Sequence, residues 1–221
     1  MESSWDKLVP RTNYHFDPFK IDPADDAMRY AGRFTGDWSE QLAQTITSSE
    51  EITWRNRNPK DGTSKDIKSE EYDLVRSGAD ADLILTNLEY DLLPVFQRMT
   101  DALGLVSVDK KELQTRVHIQ QPGQVWNLHI DKLEKFNKTD PHSVYRFMVM
   151  LNDWEPGHFI QYGNFVHTGY RAGEIYSFDW YNVPHCTANA GLGPRCTLLV
   201  TGIATNQTHR LFSTYNNKIS V

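Results

Sequence analysis

From about residue 112 onward the chain breaks into short runs of branched, aromatic and polar residues, each closed off by Gly, Pro, Asn or Asp. The runs are Leu113 to Gln120, Gln124 to Ile130, Tyr145 to Asn152, His158 to Ile160, Asn164 to Thr168, Glu174 to Phe178 and Cys196 to Ala204. Short strands at this spacing predict an antiparallel sandwich or barrel. No internal repeat or low-complexity tract interrupts the pattern.

The first half has a different texture. Leu92, Val95, Phe96, Met99 and Leu103 recur at helical spacing, with Pro94 in the first turn, Asp91 as a cap and Gly104 as a stop. A weaker helix start lies at Asp37 to Ala43, and Glu51 to Arg55 is short enough to be a strand. The run Asn56 to Lys65 is made of turn and charged residues, which predicts a surface loop and makes residues 56–67 a candidate lid. The expected organisation is one domain over residues 1–221: a helix-containing lead-in (1–110), a β core (111–205) and a C-terminal extension (206–221).

Composition narrows the partners. A net charge of -6 argues against affinity built on neutralising phosphates, so nucleic acid is disfavoured against a small molecule or a peptide. No stretch approaches the ~20 apolar residues that span a bilayer. Met1 to Lys7 lacks the basic and apolar regions of a secretory signal, and two cysteines are too few for a disulfide framework. The expectation is a soluble cytoplasmic protein in which Cys186 and Cys196 act as small buried hydrophobes.

Against this background His129-Ile130-Asp131 stands out. In an extended strand residues two apart share a face, so His129 and Asp131 can reach one ion while Ile130 packs the other way. His185 can complete the set from a second strand, with Pro184 fixing its approach and Asp179 to Asn182 forming the turn before it. Two imidazoles and one carboxylate suit a divalent iron and leave three of six octahedral positions open for chemistry. Ten residues after His185, Arg195, Thr197, Leu199 and Thr201 share one strand face. A guanidinium turned into a barrel interior calls for an anion, such as a dicarboxylate, to which Thr197 can add a hydroxyl donor.

Other residues add detail. Arg146 either faces the interior, to hold a carboxylate of an acidic ligand, or is an exposed strand arginine. Asn127 shares the face of His129 by the same period and can bind a co-substrate or orient a ligand. Trp180 and Tyr181, close to His185, are candidate pocket walls for a substrate. His118, His142, His158 and His167 read as structural or surface histidines.

His-x-Asp, a distal His and a following Arg-x-Thr together resemble the Fe(II)/2-oxoglutarate-dependent dioxygenases over residues 115–205. The resemblance implies a double-stranded β-helix, a jelly roll of the cupin kind, with flanking helices. It implies Fe(II) on His129, Asp131 and His185, the distal carboxylate of 2-oxoglutarate on Arg195 and Thr197, and O2 as co-substrate. The stretch from Arg171 to Asp179 leading to His185 and Asn189 is similar to the aspartyl/asparaginyl and free-proline hydroxylase branch, although aspartyl β-hydroxylases lack the metal carboxylate that Asp131 supplies here. Family halogenases replace that carboxylate with a small residue, so Asp131 implies hydroxylation. A metal-binding cupin of other chemistry and a non-catalytic jelly-roll binding module are the alternatives.

Overall fold

The computed structural model describes residues 28–48, 54–57, 64–67, 82–85, 93–107, 113–129, 131, 133, 136–137, 139–140, 143–163, 165–213 and 217–221. The lead-in contains β1 (Arg29–Thr35), α1 (Ser39–Ser48), β2 (Trp54–Arg57), β3 (Ser64–Ile67), β4 (Asp82–Leu85) and α2 (Pro94–Ala102). Eight strands follow: β5 (Gln114–Gln120), β6 (Val125–His129), β7 (Val144–Met150), β8 (His158–Tyr162), β9 (Phe165–His167), β10 (Glu174–Ser177), β11 (His185–Asn189) and β12 (Arg195–Ile203). The chain closes with α3 (Asn206–Leu211) and β13 (Lys218–Ser220).

The eight strands are divided between two sheets. β10, β7, β12 and β5 lie side by side in the larger sheet, and β6, β11, β8 and β9 make the smaller one. The protein is therefore mainly β, and this strand order is that of a double-stranded β-helix, or jelly roll. β1 extends the larger sheet beyond β10 by antiparallel pairing, and β13 adds a parallel edge to β1. A separate sheet has the order β3-β2-β4.

Strand alternation explains why the larger sheet is buried on both faces. On β7, Phe147 and Val149, followed by Leu151 just past the strand, join Val117 and Ile119 of β5 and Cys196, Leu198 and Val200 of β12 in one core. That core is covered by Leu42 of α1 and by Val95, Phe96 and Met99 of α2. The intervening residues Val144, Met148 and Met150 face the second core, inside the jelly roll, with Ile160, Phe178, Trp180 and Val183. Each large apolar side chain so buried contributes about 1.5 to 3 kcal/mol.

The helices are held by specific ends. α2 begins with Pro94 in its first turn after Leu93, which makes no side-chain cap bond; Asp91, the expected cap, lies outside the described residues. Gly104 ends it at φ +66, and its carbonyl accepts from the Thr205 and Thr208 hydroxyls at 2.6 and 2.9 Å. Thr205 and Thr208 also form the capping box of α3, so this pair of threonines ties two helices together. At α1, Asp37 Oδ1 accepts from the Ser39 amide at 3.0 Å.

Two sequence expectations need correction. Asn56, Arg57 and Ser64 to Ile67, expected in a loop, belong to β2 and β3, which pair antiparallel; residues 58–63 lie outside the described residues. Backbone pairing with β3 and β4 outweighs the turn preference of Asn56. The expected strands also omitted β1, β4 and β13, and β11 entered only as the second strand that carries His185. No helix among the described residues is long and apolar enough to cross a membrane.

One glycine joins β1 to the jelly roll. Gly173 donates to the Met150 carbonyl at 2.6 Å and accepts from the Phe34 amide at 2.8 Å. Its φ is +86, and an added Cβ would lie 2.2 Å from the Phe34 carbonyl oxygen. Gly173→Ala is expected to destabilise the fold by about 2 to 3 kcal/mol in urea unfolding; a loss below about 0.5 kcal/mol would show that this junction bears no strain.

Candidate functional site

His185 is set by the turn before it. Asp179 Oδ1 accepts from the amides of Tyr181 and Asn182 at 3.1 and 3.0 Å, and the Asp179 carbonyl accepts from the Val183 amide at 2.9 Å. The Val183 carbonyl then bonds His185 Nδ1 at 3.0 Å. Because a carbonyl only accepts, the ring proton sits on Nδ1 and Nε2 presents its lone pair. Nε2 lies 3.7 Å from Asp131 Oδ2, while Phe178 and Trp180 pack edge-on against the ring with centroids 5.1 and 4.8 Å away.

Asp131 lies just beyond the end of β6, so the pair His129 and Asp131 does not sit within one strand as expected. Its amide donates to the Trp180 carbonyl at 2.9 Å, which carries the chain on beside the turn that positions His185. The side chain forms an ion pair with Arg146, through Nη1 on Oδ2. Arg146 Nε donates to the Thr201 hydroxyl at 2.7 Å, and the guanidinium carbon is 5.5 Å from the Trp180 ring centroid. The Arg146 carbonyl accepts from Ser177 Oγ at 2.9 Å and from the Trp180 indole at 2.7 Å. Arg146 is only 8% exposed, which settles its fork between the interior and the solvent.

A second cluster surrounds Arg195. Its side chain is buried, and Nε donates to Gln120 Oε1 at 2.8 Å. Burial pulls the guanidinium pKa down, an effect opposed by Tyr170, which is also a hydrogen-bond partner, and by Cys196. Nη1 is buried and has no hydrogen-bond partner among the described residues. Thr197, also buried, faces His118 across the β12/β5 ladder, two residues along from the Arg195 and Gln120 pair.

The structure thus brings Asp131, His185 and Arg146 together, with Trp180 against the histidine, and places Arg195 and Thr197 on one face of β12. Cys186 is half-buried and Cys196 buried, and neither is in a disulfide. Tyr181 is half-buried in the turn that carries Trp180. His129 pairs with His185 across the β6/β11 ladder, but the side chains of His129 and Asn127 lie outside the described residues, as does His142. The ladder shifts register by one residue between Trp126 and His129. Among the described residues no three His, Cys, Asp or Glu side chains form a metal-binding group.

Gln120 and Tyr170 were not singled out from the sequence, and Thr201 was placed on the Arg195 face without a role, although Gln120 alternates with the core residues Val117 and Ile119 and so had to face the lumen. The expectation that the remaining histidines are satisfied also needs correction. Nε2 of both His118 and His167 is buried without a hydrogen-bond partner among the described residues.

No protein-family model and no curated protein matches the sequence. Among solved structures the chain is similar to TT1209 from Thermus thermophilus, with 15% identity over 45% of this chain and 81% of that one, at a TM-score of 0.30. It is similar to EvdMO1 with 14% identity over 81% of this chain and 47% of that one, at a TM-score of 0.48. It is also similar to YcfD, a ribosomal oxygenase from Escherichia coli, with 14% identity over 79% of this chain and 45% of that one, at a TM-score of 0.34. The chain spans less than half the length of the last two. Likenesses of this size carry no weight for the reaction, and the jelly-roll assignment rests on strand order.

The Asp131 and Arg146 pair makes a thermodynamic prediction. Removing one member of a buried pair strands the other charge, at a cost of about 3 to 5 kcal/mol. In metal-free buffer, Arg146→Met and Asp131→Asn should each lower stability in urea, and the double variant should be less destabilised than the sum of the two. Additive losses would mean that the two charges are not coupled.

Proposed function

We propose that the chain is an Fe(II)/2-oxoglutarate-dependent oxygenase that hydroxylates a C–H bond of an amino acid, a peptide side chain or a small molecule. The observation that carries this reading is a single interior with two complementary halves. Asp131 and the Nε2 lone pair of His185 face each other 3.7 Å apart, and Arg195, with its Nη1 buried and unsatisfied, shares a face of β12 with Thr197.

These donors fit the cofactors. Two atoms separated by 3.7 Å can both reach one ion at ligand distances of about 2.1 Å, and His129, paired with His185 through the backbone, would supply the third ligand. Arg195, buried with a donor unmet, fits one carboxylate of a dicarboxylic acid. When bound, iron and 2-oxoglutarate supply the oxidising chemistry, yielding succinate and carbon dioxide as one oxygen atom enters the substrate.

The chain's own residues bind, orient and shield. Arg195 and Thr197 would hold the distal carboxylate in a dry interior, where charge-assisted hydrogen bonds are strongest. The Val183 carbonyl holds His185 in its ligating tautomer. Arg146 is engaged with Asp131 and Thr201, so its role is to orient the carboxylate. Phe178 and Trp180 shield the histidine from water, and Trp180 and Tyr181 are the candidate substrate walls. A carboxylate at position 131 favours hydroxylation over halogenation.

The test is succinate formation from 2-oxoglutarate under Fe(II) and air, with a substrate panel. Asp131→Ala and Arg195→Ala are each expected to lower coupled turnover by at least about 100-fold, the arginine variant through lost 2-oxoglutarate binding. Metal binding that is indifferent to 2-oxoglutarate and to Arg195→Ala would instead favour a cupin of other chemistry. A protein that binds neither would be a jelly-roll module without catalysis.

A further inference from the structure

The lumen face of β5 carries a group that the reading above leaves unused. His118 is the direct cross-strand partner of Thr197, and Gln120, two residues along, is the partner of Arg195. The bond between Arg195 and Gln120 shows that this face of the two strands points to one side. His118 therefore projects beside Thr197, next to the guanidinium.

Its ring stacks on Trp126 with centroids 5.8 Å apart and planes at 24°, which accounts for its packing. The stack does not account for Nε2. The residue as a whole keeps partial exposure, yet this nitrogen is buried with no hydrogen-bond partner among the described residues, the same condition as Arg195 Nη1. Two neighbouring strands thus each present a buried side-chain nitrogen with nothing to bond, and the guanidinium one is a donor. Buried polar groups in folded proteins are nearly always satisfied, so a pair of them on one face points to a missing acceptor.

We infer that His118 is a third donor to the dicarboxylate co-substrate, its Nε2–H joining Arg195 and Thr197 on the carboxylate that seats against the larger sheet. This rests on the 2-oxoglutarate reading proposed above and deepens it. Burial, and then the charges of Arg146, Arg195 and Arg116, hold the imidazole well below its ordinary pKa. The ring is accordingly neutral before the acid arrives, and it can donate without adding a further positive charge to the lumen.

The experiment uses the full chain loaded with Mn(II), with 2-oxoglutarate binding followed by calorimetry without oxygen. His118→Phe keeps an aromatic ring to stack on Trp126 and removes the donor. The expected result is 2-oxoglutarate affinity about 10-fold to 100-fold weaker, with Mn(II) affinity changed less than about twofold. His118→Gln, which restores a side-chain N–H, should recover most of the loss. In the wild-type chain loaded with diamagnetic Zn(II), the His118 Nε2 resonance should shift when 2-oxoglutarate is added, a readout independent of how any variant folds. Unchanged affinity in His118→Phe, or an unmoved resonance at saturating 2-oxoglutarate, overturns the role of His118 and leaves the oxygenase reading standing. A wild-type chain that binds Mn(II) but no 2-oxoglutarate overturns both.

Discussion

The ion pair between Arg146 and Asp131 joins the two sheets of this interior. Arg146 sits in the middle of the larger sheet on β7, where an unpaired guanidinium would carry a heavy desolvation cost. Asp131 relieves that cost from the end of β6 in the opposite sheet, and Thr201 of β12 takes up Nε. The Arg146 carbonyl meanwhile receives the Trp180 indole, and the Trp180 carbonyl receives the Asp131 amide. Side chain and backbone thus link the two sheets and the turn before His185 in one network. A carboxylate held in this way stands ready beside the histidine and does not have to be gathered by the ligand that uses it.

The double burial of the larger sheet sets the terms for everything polar within it. One face of β5, β7 and β12 is apolar and packs under the helices. The other carries Gln120, Arg146, Arg195, Thr197 and Thr201 among methionines and aromatics. Polar groups so placed have to satisfy one another or await a ligand. Arg146 and Arg195 illustrate the two cases: the first is met by Asp131 and Thr201, whereas the second keeps one donor in reserve. This difference separates a group that organises the protein from one suited to hold an acid.

Much of the β core was legible because alternation with period two is a local property. The faces of β12 follow from its own residues, and the seven runs read from the sequence each overlap an observed strand. β11 was harder, since His-Cys-Thr-Ala-Asn has little apolar alternation; it is a strand because β6 and β8 pair with it on either side. Of β2 and β3, only Trp54 and Arg55 fell in an expected strand, for the same reason. The other residues resemble a turn, and only pairing with β4 and with each other makes them extended.

By itself the sequence determined the kinds of donor available and their order along the chain: His129, Asp131, His185, Arg195 and Thr197, spaced among short strands. It also determined that Arg195 and Thr197 share a face, because strand geometry leaves no other arrangement. Tertiary structure decided what each charge meets. Arg146 could equally have pointed to solvent until the second sheet brought Asp131 against it, and His118 looked like one more packed histidine until β12 placed Thr197 opposite. The register shift between Trp126 and His129 was likewise set by pairing with β11. The physical reason is common to all three: side-chain period is inherited from the local backbone, whereas partners and register come from strands distant in sequence.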